Sequence, residues 1–153
     1  MVQTHCKTRV IYQSAPPVIE SPGDRKKAFT VCVVGHLRAE KDPFRTAMAA
    51  RSLPQSSKLR VLQIGRALSD SMAERARREQ ARNPRYRWLG ELAHSKTRRM
   101  LARSHLLSVT SRMEGSSNAL CEALASEVPV VASRISGLIG TLGHDYAGFF
   151  KLG

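Results

Sequence analysis

The sequence predicts an α/β fold in which a parallel sheet carries helices on both of its faces. Short β-branched runs alternate with longer segments that favour helices, and this alternation is typical of βαβ units. The first three runs each end directly before a glycine, namely Gly35, Gly65 and Gly90. The chain has 153 residues, of which 42% are hydrophobic, which is enough apolar material for one core and too little for two.

The N-terminal region is predicted to hold little regular structure. Residues 10–12 are a short apolar strand candidate, and residues 13–27 contain three prolines and a glycine that prevent a long helix or strand. We therefore expect residues 1–28 to be a strand followed by a linker, and residues 29–153 to be a single domain.

The first half of that domain is predicted to contain two strands and two helices. Residues 29–34 form a β-branched run typical of a buried parallel strand. A polar loop then leads to a proline that suits the start of a helix over residues 44–52. Residues 59–64 form the second strand. An arginine-rich helix over residues 69–82 follows, and an Asn-Pro pair stops it because the residue before a proline is disfavoured in a helix.

The second half continues the same alternation. Strands are predicted at residues 87–89, 106–110 and 128–132, with a sixth beginning at 149–150, and helices at residues 96–103 and 118–126. The carboxyl ends of parallel strands share one edge of a sheet, and ligands bind there. The loops that follow Val34 and Thr110 are therefore expected to lie at the same functional edge.

The chain is strongly basic, with 25 Lys and Arg against 12 Asp and Glu and a formal net charge of +13. Such a charge favours binding to nucleic acid, to an acidic membrane surface or to phosphorylated metabolites, and it does not distinguish among these partners. The basic stretch of residues 74–87 is compatible with a nucleic-acid-binding patch. A helix of mixed charge is, however, more often a solvated face. Trp88, the only tryptophan, is more often a core residue than a base-stacking one.

Cysteines and histidines indicate neither a disulfide framework nor a metal site. The three cysteines are widely separated without a Cys-x-x-Cys pair, and the five histidines share no helical ligand spacing with a neighbouring carboxylate. No segment approaches the ~18 consecutive apolar residues that span a bilayer, and the N-terminus lacks the apolar core of a signal peptide. We expect a soluble cytoplasmic protein without a metal or cofactor.

The most informative segment runs from Arg112 to Ser133 and has the sequence RMEGSSNALCEALASEVPVVAS. Glu114 and Glu122 are eight positions apart, and the turn between them opens a helix. Backbone N–H groups at a helix start favour an anion, while carboxylates accept hydrogen bonds from hydroxyls. This combination suits a sugar nucleotide. Taken singly, each glutamate is more often an ordinary helix-terminal or solvated residue.

The segment from Glu114 to Ser133 resembles the glutamate, seven residues, glutamate motif of family 4 of the GT-B glycosyltransferases, and the likeness extends over residues 135–137. The resemblance implies a Rossmann-like C-terminal half of a GT-B fold, which binds the nucleotide-sugar donor. It also implies that Glu114 contacts the donor sugar, that Glu122 contacts the ribose, and that the turn's backbone faces the sugar or diphosphate. The turn consists of Gly115, Ser116, Ser117 and Asn118.

The loop that begins at Gly35 resembles the family's diphosphate loop, in which an arginine and a lysine neutralise the leaving nucleoside diphosphate. Lys41 falls on the lysine and His36 on the arginine, and Arg38 is expected to supply the missing charge. A fixed cation stabilises the departing phosphate without a metal. Glu114 and Lys41 are therefore the expected catalytic residues. The alternative is a solvated polar loop.

Shorter segments resemble a bacterial subgroup, the selenosugar synthases of selenoneine biosynthesis, which join a sugar from a uridine diphosphate (UDP) donor to selenophosphate. They are Val10-Ile-Tyr-Gln-Ser-Ala-Pro, Gly35-His-Leu-Arg with Lys41-Asp-Pro, Asn83-Pro-Arg-Tyr-Arg-Trp-Leu-Gly, Ser111-Arg-Met-Glu-Gly and Ala132-Ser-Arg-Ile-Ser-Gly. The Ser116-Ser117 pair departs from the subgroup's pattern, and Gly140 stands where many family members carry an acidic residue.

We therefore expect a glycosyltransferase domain that binds a UDP-sugar, with its N-terminal acceptor domain missing and both ends truncated. Activity in isolation should be weak, because transfer depends on holding donor and acceptor together. The alternative is a basic nucleic-acid binding module, for which no recognition signature is present. A regulatory or vestigial domain is the third hypothesis.

Overall fold

The computed structural model describes residues 13–20 and 27–152. Its six strands, numbered in chain order, are β1 (Phe29–Val34), β2 (Leu59–Ile64), β3 (Tyr86–Trp88), β4 (Leu106–Val109), β5 (Val130–Ser133) and β6 (Phe149–Phe150). They form one sheet in the order β3-β2-β1-β4-β5-β6, and every pairing is parallel. The chain thus winds outward in opposite directions from β1 and from β4. The boundary between these two strands is where ligands bind in such sheets.

Helices cover both faces of this sheet, which confirms the predicted Rossmann-like class. They are α1 (Arg45–Arg51), α2 (Asp70–Arg82), α3 (His94–Ala102), α4 (Asn118–Ala125) and α5 (Ser136–Leu142). Side chains of α1 and α2 form one apolar core with the sheet, and side chains of α3, α4 and α5 form a second. Cys32 and Val33, adjacent in β1, belong to opposite cores, as expected for a strand buried on both faces.

The fifth strand begins at Val130, two residues later than predicted, because the backbone N–H of Val128 still caps the end of α4. Glu127 adopts a left-handed conformation with φ 56°. Its N–H donates to the carbonyl of Leu124 at 3.2 Å, and the Val128 N–H donates to the carbonyl of Ala123 at 2.9 Å. This pair of hydrogen bonds is a Schellman motif, in which glycine is the usual left-handed residue. The absence of that glycine hid the boundary in the sequence.

Helix α5 was not predicted, because its sequence SGLIGTL contains two glycines and two β-branched residues that disfavour an isolated helix. Burial of Leu138 in the second core holds it in place. The structure also begins α3 at His94, two residues earlier than predicted. The strand candidate at residues 10–12 lies outside the described residues.

Trp88 packs against the core formed by α1 and α2, and its indole N–H donates to the carbonyl of Gly65 at 2.8 Å. This confirms the core-packing interpretation. The arginine-rich helix α2 is a solvated face of mixed charge, where Arg78 lies 3.4 Å from Glu74 and both side chains are exposed.

Glu79 is the exception on α2, because its side chain is only 2% exposed. Its carboxylate accepts hydrogen bonds from Arg51 at 2.9 Å, from Arg82 at 2.6 Å and from Asn83 at 3.1 Å. Burial by itself raises the pKa of this carboxyl group. The hydrogen bonds from Arg82 and Asn83, with the charges of Arg51 and Arg82, outweigh burial and hold the pKa below its ordinary value of 4.5.

A pKa lowered by folding gives stability that is present above the unfolded-state pKa and lost as the pH falls through the folded-state pKa. We expect Glu79→Gln to lower the free energy of unfolding at neutral pH by roughly 1–3 kcal/mol and to lose less stability than the parent on acidification. Thermal denaturation at neutral pH and at about pH 3 measures both effects. The exposed Glu74→Gln is the control, and equal acid sensitivity of Glu79→Gln and parent would contradict the assignment.

Candidate functional site

A cleft of about 590 Å³ lies at the carboxyl ends of the central strands, beside the boundary between β1 and β4. Its walls come from the loops after β1, β3 and β4, the end of β2, and the first turns of α3 and α4. The volume is within the range of small-molecule sites. All the predicted site residues except Gly115 line it: Gly35, His36, Arg38, Lys41, Glu114, Ser116, Ser117, Asn118 and Glu122.

The turn after β4 is held against α5 by a close backbone approach. A Cβ atom placed on Gly137 would clash with the carbonyl group of Glu114, so a glycine is required where α5 begins. Ser133, at the end of β5, donates its hydroxyl hydrogen to the carbonyl of Ser111. These contacts fix the backbone from which the Glu114 side chain enters the cleft.

Lys41 and Glu114 form an ion pair on one wall of the cleft. The Glu114 side chain is 7% exposed and also accepts a hydrogen bond from Ser111 Oγ at 2.8 Å. The hydroxyl of Thr110 lies 2.9 Å from the carbonyl oxygens of both Lys41 and Asp42. The end of β4 therefore fixes the backbone that carries Lys41.

His36 and Arg38 add further donors on the same wall. His36 Nδ1 is buried and has no hydrogen-bond partner among the residues that the structure describes. Arg38 is exposed beside it on the loop after β1. Gly65 allows the end of β2 to approach this loop, because a Cβ atom there would clash with the carbonyl of Gly35.

The first turn of α4 forms the opposite wall. Ser117 is its N-cap, and its hydroxyl accepts a hydrogen bond from the N–H of Leu120 at 3.4 Å. The Gln13 amide contacts two predicted residues: its oxygen accepts from Ser116 Oγ at 2.9 Å, and its nitrogen donates to Asn118 Oδ1. Residues 13–16 thus lie against the helix start. Gln13 was assigned only to a linker and was missed as a site neighbour.

Glu122 is nearly buried rather than solvated, with 9% of its side chain exposed. Its Oε1 accepts a hydrogen bond from His94 Nε2 at 2.6 Å, and Arg98 Nε lies 4.0 Å from the same oxygen. Sequence reasoning missed His94 and Arg98, because the fold alone brings α3 against α4. The position of α3 after a strand closed by Gly90 was the available signal, since its first turn falls at the ligand edge.

The cleft therefore places carboxylates, cations and a helix start around one volume. Phosphate oxygens are suited to the cations and to backbone N–H groups, and hydroxyls are suited to the carboxylates. A cavity of about 360 Å³ lies elsewhere, between α1 and the sheet, and none of the predicted site residues lines it. Within residues 13–20 and 27–152 no cluster of His, Cys, Asp or Glu is arranged to hold a metal ion, and no helix is long and apolar enough to span a membrane.

Solved structures with the same fold include three sugar-related proteins. HepE from Anabaena in complex with UDP-glucose is 22% identical, with a TM-score of 0.70 over 82% of this chain and 35% of its own. An α,α-trehalose-phosphate synthase (UDP-forming) from Burkholderia xenovorans, in complex with glucose-6-phosphate, is 19% identical, with a TM-score of 0.66 over 82% and 33%. The lipopolysaccharide outer core galactosyltransferase WaaB is 20% identical, with a TM-score of 0.63 over 80% and 35%.

The chain thus spans about a third of the length of these solved proteins, and the likeness establishes the fold. No curated protein matches it in sequence. The family model for glycosyl transferases group 1 matches residues 16–151, which is most of the chain. This match includes every residue that lines the cleft and extends past the last strand of the sheet. The chain belongs to the group 1 glycosyl transferases.

Proposed function

We propose that this chain binds a UDP-sugar and presents it for glycosyl transfer. One observation carries the proposal: Lys41, Glu114, Glu122 and the start of α4 converge on a single cleft at the carboxyl edge of the sheet. A phosphate-binding wall therefore lies within one volume with two hydroxyl-binding carboxylates. HepE, whose structure contains UDP-glucose, supports UDP as the nucleotide, and the match to the group 1 glycosyl transferases supports glycosyl transfer.

Each wall has a proposed role in binding. Glu122 accepts hydrogen bonds from the ribose hydroxyls, and Lys41, with Arg38 and His36, binds the diphosphate. The Lys41–Glu114 ion pair breaks when the donor binds. Lys41 then contacts phosphate, and Glu114 accepts hydrogen bonds from the sugar. Negative charge grows on the departing diphosphate during transfer, and a fixed cation stabilises it. Lys41 supplies this charge without a metal.

Selenophosphate is the proposed acceptor, because several short segments of the sequence resemble those of selenosugar synthases. The C1–O bond of the sugar to UDP would break, and selenium would bond to C1 as UDP departs. The acceptor would be held mainly by a second domain of the kind found in GT-B enzymes. A reducing cytoplasm is the proposed setting, in keeping with the free thiols of Cys32 and Cys121.

Isothermal titration calorimetry tests the donor assignment. We expect UDP, UDP-glucose and UDP-N-acetylglucosamine to bind in the presence of EDTA, and cytidine diphosphate to bind more weakly. The absence of detectable heat at millimolar ligand would reject donor binding. Nucleic-acid binding has no comparable support, because Glu74 and Glu79 pair with arginines of the basic helix.

The acceptor assignment has its own test. With protein in molar excess over UDP-N-acetylglucosamine, UDP release is expected to be slow and to depend on added selenophosphate. Orthophosphate is the matched control. Equal acceleration of UDP release by selenophosphate and by orthophosphate would reject selenophosphate, while leaving the donor assignment intact.

A further inference from the structure

Glu122 is held by a neighbouring helix as well as by its own. It lies on α4, whereas His94 is the first residue of α3. The 2.6 Å hydrogen bond from His94 Nε2 occupies Glu122 Oε1, and no described residue hydrogen-bonds Glu122 Oε2. The two carboxylate oxygens therefore have different environments, since one is bonded to α3 and the other has no hydrogen-bond partner among the described residues.

Orientation matters here because a glutamate side chain has several rotamers and loses conformational freedom when it is fixed. A carboxylate that is already fixed binds a diol without that loss on ligand binding. The His94 ring is itself 75% exposed, so its interaction with Glu122 is not a consequence of burial in the core.

Arg98 is a positively charged neighbour of Glu122 that does not fix the orientation of its carboxylate in the same way. Its Nε atom lies 4.0 Å from Glu122 Oε1 and makes no hydrogen bond, and its guanidinium group donates to the carbonyl of Pro16. The positive field at Glu122 would therefore remain if His94 were removed. Only the directional hydrogen bond would be lost.

We propose that His94 is a positioning residue that holds Glu122 Oε1, so that Glu122 Oε2 faces the ribose hydroxyls of the nucleotide. This inference rests on the proposed function, in which Glu122 binds the ribose. His94 itself acts through Glu122 and need not touch the nucleotide.

Two nucleotides distinguish an effect of His94 on the orientation of Glu122 from a general loss of protein stability. We compare UDP with 2′,3′-dideoxyuridine diphosphate, which lacks both ribose hydroxyls, by calorimetric titration of the parent and of His94→Ala. The variant is expected to bind UDP about fivefold to tenfold more weakly, which corresponds to the loss of one hydrogen bond. It is expected to bind the dideoxy nucleotide with parental affinity. His94→Gln keeps an N–H donor at similar reach and is expected to restore most of the UDP affinity.

His144→Ala removes an exposed histidine outside the cleft and is the matched control, with parental affinity expected for both nucleotides. Parental UDP affinity in His94→Ala, or an equal loss for both nucleotides, would overturn the inference. Failure of His94→Gln to restore binding would overturn the hydrogen-bond role. A parent that binds neither nucleotide would instead reject the proposed function. Thermal denaturation confirms that each variant is folded.

Discussion

Glu122→Gln is expected to weaken UDP binding by about 30-fold, because the carboxylate becomes a neutral amide whose one acceptor oxygen cannot serve both His94 and the ribose hydroxyls. The substitution preserves size in a side chain that is 9% exposed, so the fold should be retained. Affinity for 2′,3′-dideoxyuridine diphosphate is expected to change much less. Titration of both nucleotides into the variant measures the difference.

Glu74→Gln makes the same chemical change on the exposed side of α2 and is expected to leave both affinities unchanged. If Glu122→Gln bound UDP as the parent does, the ribose would lie elsewhere and the proposed orientation of the donor would be wrong. An equal loss for UDP and the dideoxy nucleotide would show that Glu122 acts on the charge or shape of the cleft rather than on hydroxyls.

Lys41→Met is expected to weaken UDP binding by about 10-fold to 100-fold while leaving uridine binding nearly unchanged, since only the diphosphate loses its charged partner. It should also lower the free energy of unfolding by roughly 1–3 kcal/mol, because the nearly buried Glu114 carboxylate would keep Ser111 but lose its ion-pair partner. Calorimetry with UDP and with uridine, combined with urea denaturation, tests both parts.

Lys58→Met is a control of identical chemistry, since Lys58 is exposed directly before β2, at the edge of the sheet opposite the cleft. A double variant, Lys41→Met with Glu114→Gln, should recover the lost stability without recovering UDP affinity. Recovery of UDP binding in the double variant would mean that Lys41 only neutralises Glu114 and does not bind phosphate.

Local sequence signals predicted most elements, because their causes are local. The β-branched runs of β1 and β2 and the Asn83-Pro84 stop after α2 each depend on a few adjacent residues. One helix was missed and one strand start was misplaced where the cause was distant or atypical. Helix α5 depends on burial of Leu138 against the sheet, and the start of β5 depends on a left-handed Glu127 in place of the usual glycine.

The sequence likewise predicted some features of the candidate site and could not predict others. Glu114 and Glu122 were found because they flank a helix start along the chain, and Lys41 because the loop after Gly35 resembles the family's diphosphate loop. The sequence could not show that Lys41 pairs with Glu114, nor that Gln13 lies against Ser116 and Asn118.

Chain order alone specified the alternating strands and helices, and with them the edge of the sheet at which the chemically active loops lie. Folding added the partners of those loops: Glu122 receives its hydrogen bond from a histidine 28 residues away. Backbone preferences and hydrophobic periodicity act between near neighbours, whereas the environment of a carboxylate depends on which helices pack together. That packing follows from burying both faces of the whole sheet at once.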